Sequence, residues 1–143
     1  MKKTLATFFT VICTFICIFM LGSCNENAKY AGTYKMVSIT GSMTINGETT
    51  QLSTDLYEYY NIILNKDGTA VVESKGAQTV GMAVENEGTW EYEDGKIKLK
   101  SRNSGITVVE EMTLEGDTLT YVAEQAASGV SISMTIVLEK SAE

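Results

Sequence analysis

From Tyr30 onward, apolar and polar residues alternate with a period of two, which marks half-buried β-strands because successive side chains of a strand face opposite sides. Between Gly32 and Thr40, Tyr34 and Met36 fall on one face, with Val37 and Ile39 on the other. Tyr60, Ile62 and Leu64 form the next set, followed by Ala70 with Val72. Trp90 and Tyr92 alternate with Thr89, Glu91 and Glu93, and Ile97 and Leu99 alternate with lysines. Ile106, Val108, Met112 and Leu114 align, then Leu119 with Tyr121, then Ile132, Met134, Ile136 and Leu138.

Turn-forming residues separate these runs. Asn46-Gly47, Asp67-Gly68 and Asp94-Gly95 supply residues that tolerate positive φ, as tight hairpins require. Glu115-Gly116-Asp117 and Ser128-Gly129 serve the same purpose. Short connections between successive strands predict an antiparallel meander. The pattern gives an all-β domain of about eight to ten strands over residues 30–143. Ser53 to Glu58 is the one stretch that reads as a helical turn. An open meander would leave two unpaired edges, and closing it into an up-and-down barrel removes them. Apolar residues point inward and Lys, Glu, Thr and Ser outward, the reverse of a membrane-spanning barrel.

Gly32-Thr33-Tyr34-Lys35-Met36-Val37-Ser38 resembles the opening of lipocalin-like domains, with Tyr34 at the position of the family's Trp. Gly88-Thr89-Trp90-Glu91-Tyr92, followed by Asp94-Gly95-Lys96-Ile97-Lys98-Leu99, is similar to the middle strands of small bacterial lipocalin-like lipoproteins. The resemblance covers most of residues 30–140. It implies an up-and-down barrel with Trp90 plugging one end, and it implies no particular ligand.

The N-terminus carries a different signal. Lys2 and Lys3 precede an apolar stretch from Leu5 to Leu21, the length of a secretory leader and the short limit for a membrane span. Leu21-Gly22-Ser23-Cys24 then resembles the lipobox of bacterial lipoproteins. This implies cleavage after residue 23 and a lipid on the Cys24 thiol, with residues 24–29 as a polar tether. Two or three acyl chains on one residue give stable anchoring. The expected location is the cell envelope: the outer membrane of a Gram-negative cell, otherwise the outer face of the plasma membrane.

Composition narrows the chemistry. The chain has no His, so the commonest acid–base group and metal ligand is missing. Cys13 and Cys17 leave with the leader and Cys24 is acylated, so no intrachain disulfide, zinc site or thiol nucleophile is expected. Each Asp before a Gly stands alone, unlike a calcium loop, so no metal or cofactor is predicted. Of 11 basic residues two leave with the leader, and the 18 acidic ones all stay, for a net charge of −9. Such a surface repels phosphate, and nucleic acid is not an expected partner.

The candidate residues therefore belong to binding rather than catalysis. Tyr34, Met36, Tyr60, Trp90, Tyr92, Met112, Tyr121 and Met134 share the inward face. Aromatic rings with polar tips, interleaved with adaptable Met, either fill the core or line a pocket for a small apolar ligand or lipid. Glu110 falls on the face of Met112 and would orient a ligand, unless it sits at the rim or a bulge shifts the register. The alternative is a filled barrel that serves as an interaction module beside an envelope protein.

Overall fold

The computed structural model describes residues 25–77, 83–103 and 105–142. A short helix, α1 (Asn25–Tyr30), precedes nine strands. These are β1 (Gly32–Ile45), β2 (Glu48–Leu52), β3 (Tyr57–Leu64), β4 (Thr69–Gly76), β5 (Val84–Glu93), β6 (Lys96–Asn103), β7 (Ile106–Glu115), β8 (Thr118–Ala127) and β9 (Val130–Lys140). From β3 to β9 each strand pairs antiparallel with the next, and β1 pairs β9 along its length, which closes the sheet. On its other side β1 pairs β3 through Gly32–Lys35 and β2 through Gly41–Ile45. Together β2 and β3 make one interrupted staff, broken by the 3-10 turn Thr54–Leu56, so the barrel has eight staves. The expected all-β meander and its closure are present.

Hairpin chemistry sets the connections. Asn46 and Asp94 adopt φ near 50°, the left-handed conformation that a two-residue turn demands of its first position. Asp67 instead accepts hydrogen bonds from the Thr69 backbone N–H (2.9 Å) and hydroxyl (2.6 Å), which stiffens the β3–β4 turn.

The inner face follows from the register. Tyr34 pairs Ile62, Ile62 pairs Val72, and Val72 pairs Asn86. Gly88 pairs Ser101, Trp90 pairs Leu99, and Leu99 pairs Glu110. Met112 pairs Tyr121, Tyr121 pairs Ile136, and Ile136 pairs Ile39, which returns the circuit to β1. Partners across a ladder share a face, so one set of side chains lines the whole interior.

Ile39 corrects the sequence reading, which put it opposite Tyr34. The β1–β9 register shifts between Met36 and Ser38. The extra residue, Val37, is left exposed at 47% while Ile39 is buried at 3%. A bulge inserts one residue and so exchanges faces beyond it. It brings Ile39, Gly41 and Met43 onto the face of Tyr34 and Met36. Two further features differ from expectation. Asn25 to Lys29, read as a tether, belong to a helical turn. The strand β2 has four exposed residues in five and carries no alternation to betray it.

Burial is uneven along the barrel. The core comprises Tyr34, Ile39, Ile62, Leu64, Ala70, Trp90, Ile97, Leu99, Met112, Leu114, Leu119, Ile136 and Leu138. Nearly all lie in the half that contains the β3–β4, β5–β6 and β7–β8 turns, termed here the closed end. Toward the opposite, open end the strands lose burial on both faces: Ile106 to Val109, Glu124 to Ser131 and Val84 to Glu85 are all exposed.

Candidate functional site

The closed end is plugged by aromatic residues held to the backbone. Trp90 is 4% exposed, and its indole N–H donates to the Asn65 carbonyl at 2.9 Å. The Tyr34 hydroxyl donates to the Tyr30 carbonyl at 2.9 Å. Tyr30, the last residue of α1, stacks on Tyr92 with centroids 4.0 Å apart. Lys140 reaches over from β9, donating to the Lys29 carbonyl at 3.3 Å with its Nζ 6.0 Å from the Tyr34 ring centroid. Burial, with lesser contributions from Asp117 and Tyr30, pushes the Tyr34 phenol up to about 12. Polar tips satisfied in this way are what allow Tyr and Trp to be buried.

The open half is built differently because two strands part. β7 and β8 pair only from Met112–Tyr121 to Glu115–Thr118. Beyond that fork β7 continues to pair β6, and β8 continues to pair β9. On the other side β1 leaves β3 after Lys35, so toward the open end the sheet forms two flaps joined at the closed end, one of β2, β1, β9 and β8 and the other of β3 to β7. Their inner faces differ. The first presents Met43, Ile132 and Met134 beside Ala123. The second presents Tyr60, Val72, Ser74, Asn86, Ser101 and Glu110, with Val84 and Val108 nearer the rim. Val84 and Val108 are exposed and the others half-buried, so water reaches the inner wall here.

The residues singled out from sequence divide between these regions. Tyr34, Trp90 and Met112 are buried in the closed end, and Tyr92 packs against α1. Met36, Tyr60, Glu110, Tyr121 and Met134 are half-buried on the inner wall, from the middle of the barrel toward the open end. Cys24 lies outside the described residues. Sequence reasoning missed Met43, Ser74, Asn86, Ser101 and Tyr57. The first was hidden by the bulge, and the polar three look like solvent-facing strand residues.

Glu110 is the charged member of the wall. It acts on the phenols of Tyr60 and Tyr121. Burial first, and Glu110 second, push Tyr121 up to about 12 and raise Tyr60 further. Tyr57 meets the Tyr60 ring edge-on at 5.9 Å. The described lysines and arginine lie on the outer wall, in turns or at the closed end, and none of the ion pairs among the described residues includes Glu110. Among the described residues no group of carboxylates or cysteines converges as a metal ion would require.

The outer surface carries grooves. A groove of about 470 Å³ at the open rim runs between the β1–β2 and β8–β9 hairpins and is lined by small residues, including Thr44, Ala126 and Ser131. Another, of about 370 Å³, lies at the closed end beside Tyr30, Tyr92, Asp117 and Lys140.

Compared with families of known proteins, residues 22–121 match the lipocalin-like domain, a span from just before α1 to the fork in β8. No curated protein and no solved structure matches the chain.

Proposed function

The chain belongs to the lipocalin-like domain family, and on that premise we propose that it is a membrane-anchored lipoprotein that holds a small apolar or amphipathic molecule between its two flaps. It acts by binding rather than by catalysis. The observation that carries this reading is the burial gradient along one continuous inner wall. Leu138, Leu119 and Ile62 at the closed end are 0% exposed, whereas Met43, Ile132 and Met134 on the same face are half-buried. Apolar residues that remain wet in a concave wall are stabilised when an apolar guest displaces the water. Each CH₂ of the guest so buried contributes about 0.8 kcal/mol. Methionines adapt to guests of different shape.

The anchor rests on the residues Leu21-Gly22-Ser23-Cys24. Helix α1 starts one residue after Cys24 and is held to the closed end through the Tyr30–Tyr92 stack. In this reading the lipid attaches beside the plugged end and the open flaps point away from the bilayer. The expected location is the cell envelope, with the anchor in the outer membrane or the outer face of the plasma membrane.

Native mass spectrometry of the protein purified from its own host is the test. Retention of a small molecule on the chain supports the reading. A chain that emerges empty, and that fails to bind an apolar fluorophore in saturable one-to-one fashion, overturns it. For the anchor, Cys24→Ala is expected to release the protein from the membrane fraction or leave it unprocessed. Normal acylation of that variant would refute the assignment.

A second reading, an interaction module, is favoured by the rim. Ile45, Val84, Ile106 and Val130 stand at the open ends of four strands and are 44%, 48%, 69% and 39% exposed. An apolar rim suits a protein partner in the envelope. Ile106→Glu separates the two: loss of cross-linking to an envelope protein with fluorophore binding intact would support the module.

A further inference from the structure

The open half contains an asymmetry that a merely apolar ligand leaves unexplained. One wall carries Met43, Ile132 and Met134 with Gln125, and the other carries Tyr60, Ser74, Asn86, Ser101 and the carboxylate of Glu110 among Val72, Val84 and Val108. A guest that satisfies both walls has an apolar body and a polar head, and the charges along the wall decide the sign of that head.

Glu110 occupies the last inward position of β7 before the fork, opposite Leu99 and one step along the face from Met112. The strand that would cover its outer flank, β8, has already turned away. The carboxylate therefore stands at the base of the slit, open to a guest from the mouth. Tyr121 stands one step along the face, opposite Met112, and Glu110 acts on its phenol and on that of Tyr60, which Tyr57 meets edge-on. The described Lys and Arg side chains lie outside this wall. An anionic head placed here would meet a carboxylate and no compensating cation. A neutral head offers the carboxylate at most a neutral hydrogen bond, weaker than a charge-assisted one. A cationic head gains on both counts: it pairs with Glu110, and it faces aromatic rings whose quadrupoles attract cations.

We propose that Glu110, Tyr57, Tyr60 and Tyr121 form the head-group subsite for a cationic amphiphile, an amine or quaternary ammonium on an apolar body, whose body lies against Met43 and Met134. This deepens the binding reading above and rests on it. The strongly acidic surface, 18 acidic residues against 11 basic in the whole chain, attracts such cations toward the mouth.

The test compares three water-soluble probes of one body: phenylbutylamine, phenylbutanol and phenylbutyrate. Each is titrated calorimetrically into the full chain in a non-ionic detergent. The amine is expected to bind about tenfold tighter than the alcohol, equivalent to about 1.4 kcal/mol, with the carboxylate weakest. Glu110→Gln is expected to bring the amine down to the alcohol's affinity while leaving the alcohol's own affinity unchanged. Thermal melting of that variant checks that the fold survives. Tyr60→Phe keeps the ring and is expected to retain the amine preference; Tyr60→Ala is expected to reduce it. If amine and alcohol bind the unmodified protein equally, or if Glu110→Gln keeps the preference, the subsite is overturned and the apolar binding reading stands. If no probe binds and the apolar fluorophore also fails, the binding reading falls, and the subsite with it.

Discussion

Trp90 shows how much one side chain settles at the closed end. Its ring is buried, its N–H is bonded to Asn65, and its backbone N–H donates to Gly68 at 2.8 Å, so it ties β5 to the β3–β4 turn. Trp90→Ala is expected to cost about 3–5 kcal/mol in urea denaturation, and a near-neutral result would show the plug to be dispensable. The tyrosines make a different prediction, in alkali. Tyr34 and Tyr121 have phenols raised from 10.0 to about 12, mainly by burial, and Tyr60 is raised as well. A raised folded-state pKa means that the fold favours the neutral phenol. That contribution is complete below pH 10, where folded and unfolded chains are both neutral, and it is lost as pH climbs through about 12. An absorbance titration of the seven tyrosines should show a late fraction that ionises as the near-ultraviolet circular dichroism collapses. Complete ionisation near pH 10 with the fold intact would contradict this. The surface ion pairs Lys96–Glu111, Lys98–Glu93 and Lys100–Glu91 are screened by water and contribute little to stability.

At the level of elements, the bulge in β1 and the fork between β7 and β8 shape the molecule. The bulge exchanges faces at Val37, so deleting Val37 would turn either Tyr34 and Met36 or Ile39 and Met43 outward. The deletion is expected to cost about 3 kcal/mol or more, measured by chemical denaturation; unchanged stability would refute the register. Gly41 lies just beyond, at φ 133°, where an added Cβ would run into the Ser133 carbonyl oxygen. Gly41→Ala is expected to be destabilising by more than about 1 kcal/mol. The fork predicts a pattern of hydrogen exchange. Amides of Ile106–Glu111 and Val122–Ala127 that point toward the slit should exchange fast, while those from Met112 to Glu115 stay protected. These two features also mark the limit of what the chain discloses. Ile97 and Leu99 between lysines announce an inward face directly, and Glu110 could be put on that face by counting from Met112. Ile39 was misplaced because a bulge changes parity without any special residue to announce it. The strand β2 was missed because neither of its faces is buried, and alternation exists only where one face is. The fork was invisible because Ile106 and Val108 alternate as well as any paired strand, and pairing is a property of two strands rather than one.

The whole molecule divides in two: a packed closed end and a half-buried inner wall beyond the fork. Cysteine accessibility reads this directly. In a chain carrying Cys13→Ser, Cys17→Ser and Cys24→Ser, one new cysteine is placed at Met112 and, separately, at Met134. Both positions face inward, with Met112 1% exposed and Met134 half-buried. Under native conditions a small water-soluble thiol reagent should modify Met134→Cys rapidly and Met112→Cys only as fast as the protein unfolds. Equal protection of both would mean that the barrel is filled from end to end, and the binding site between the flaps would not exist.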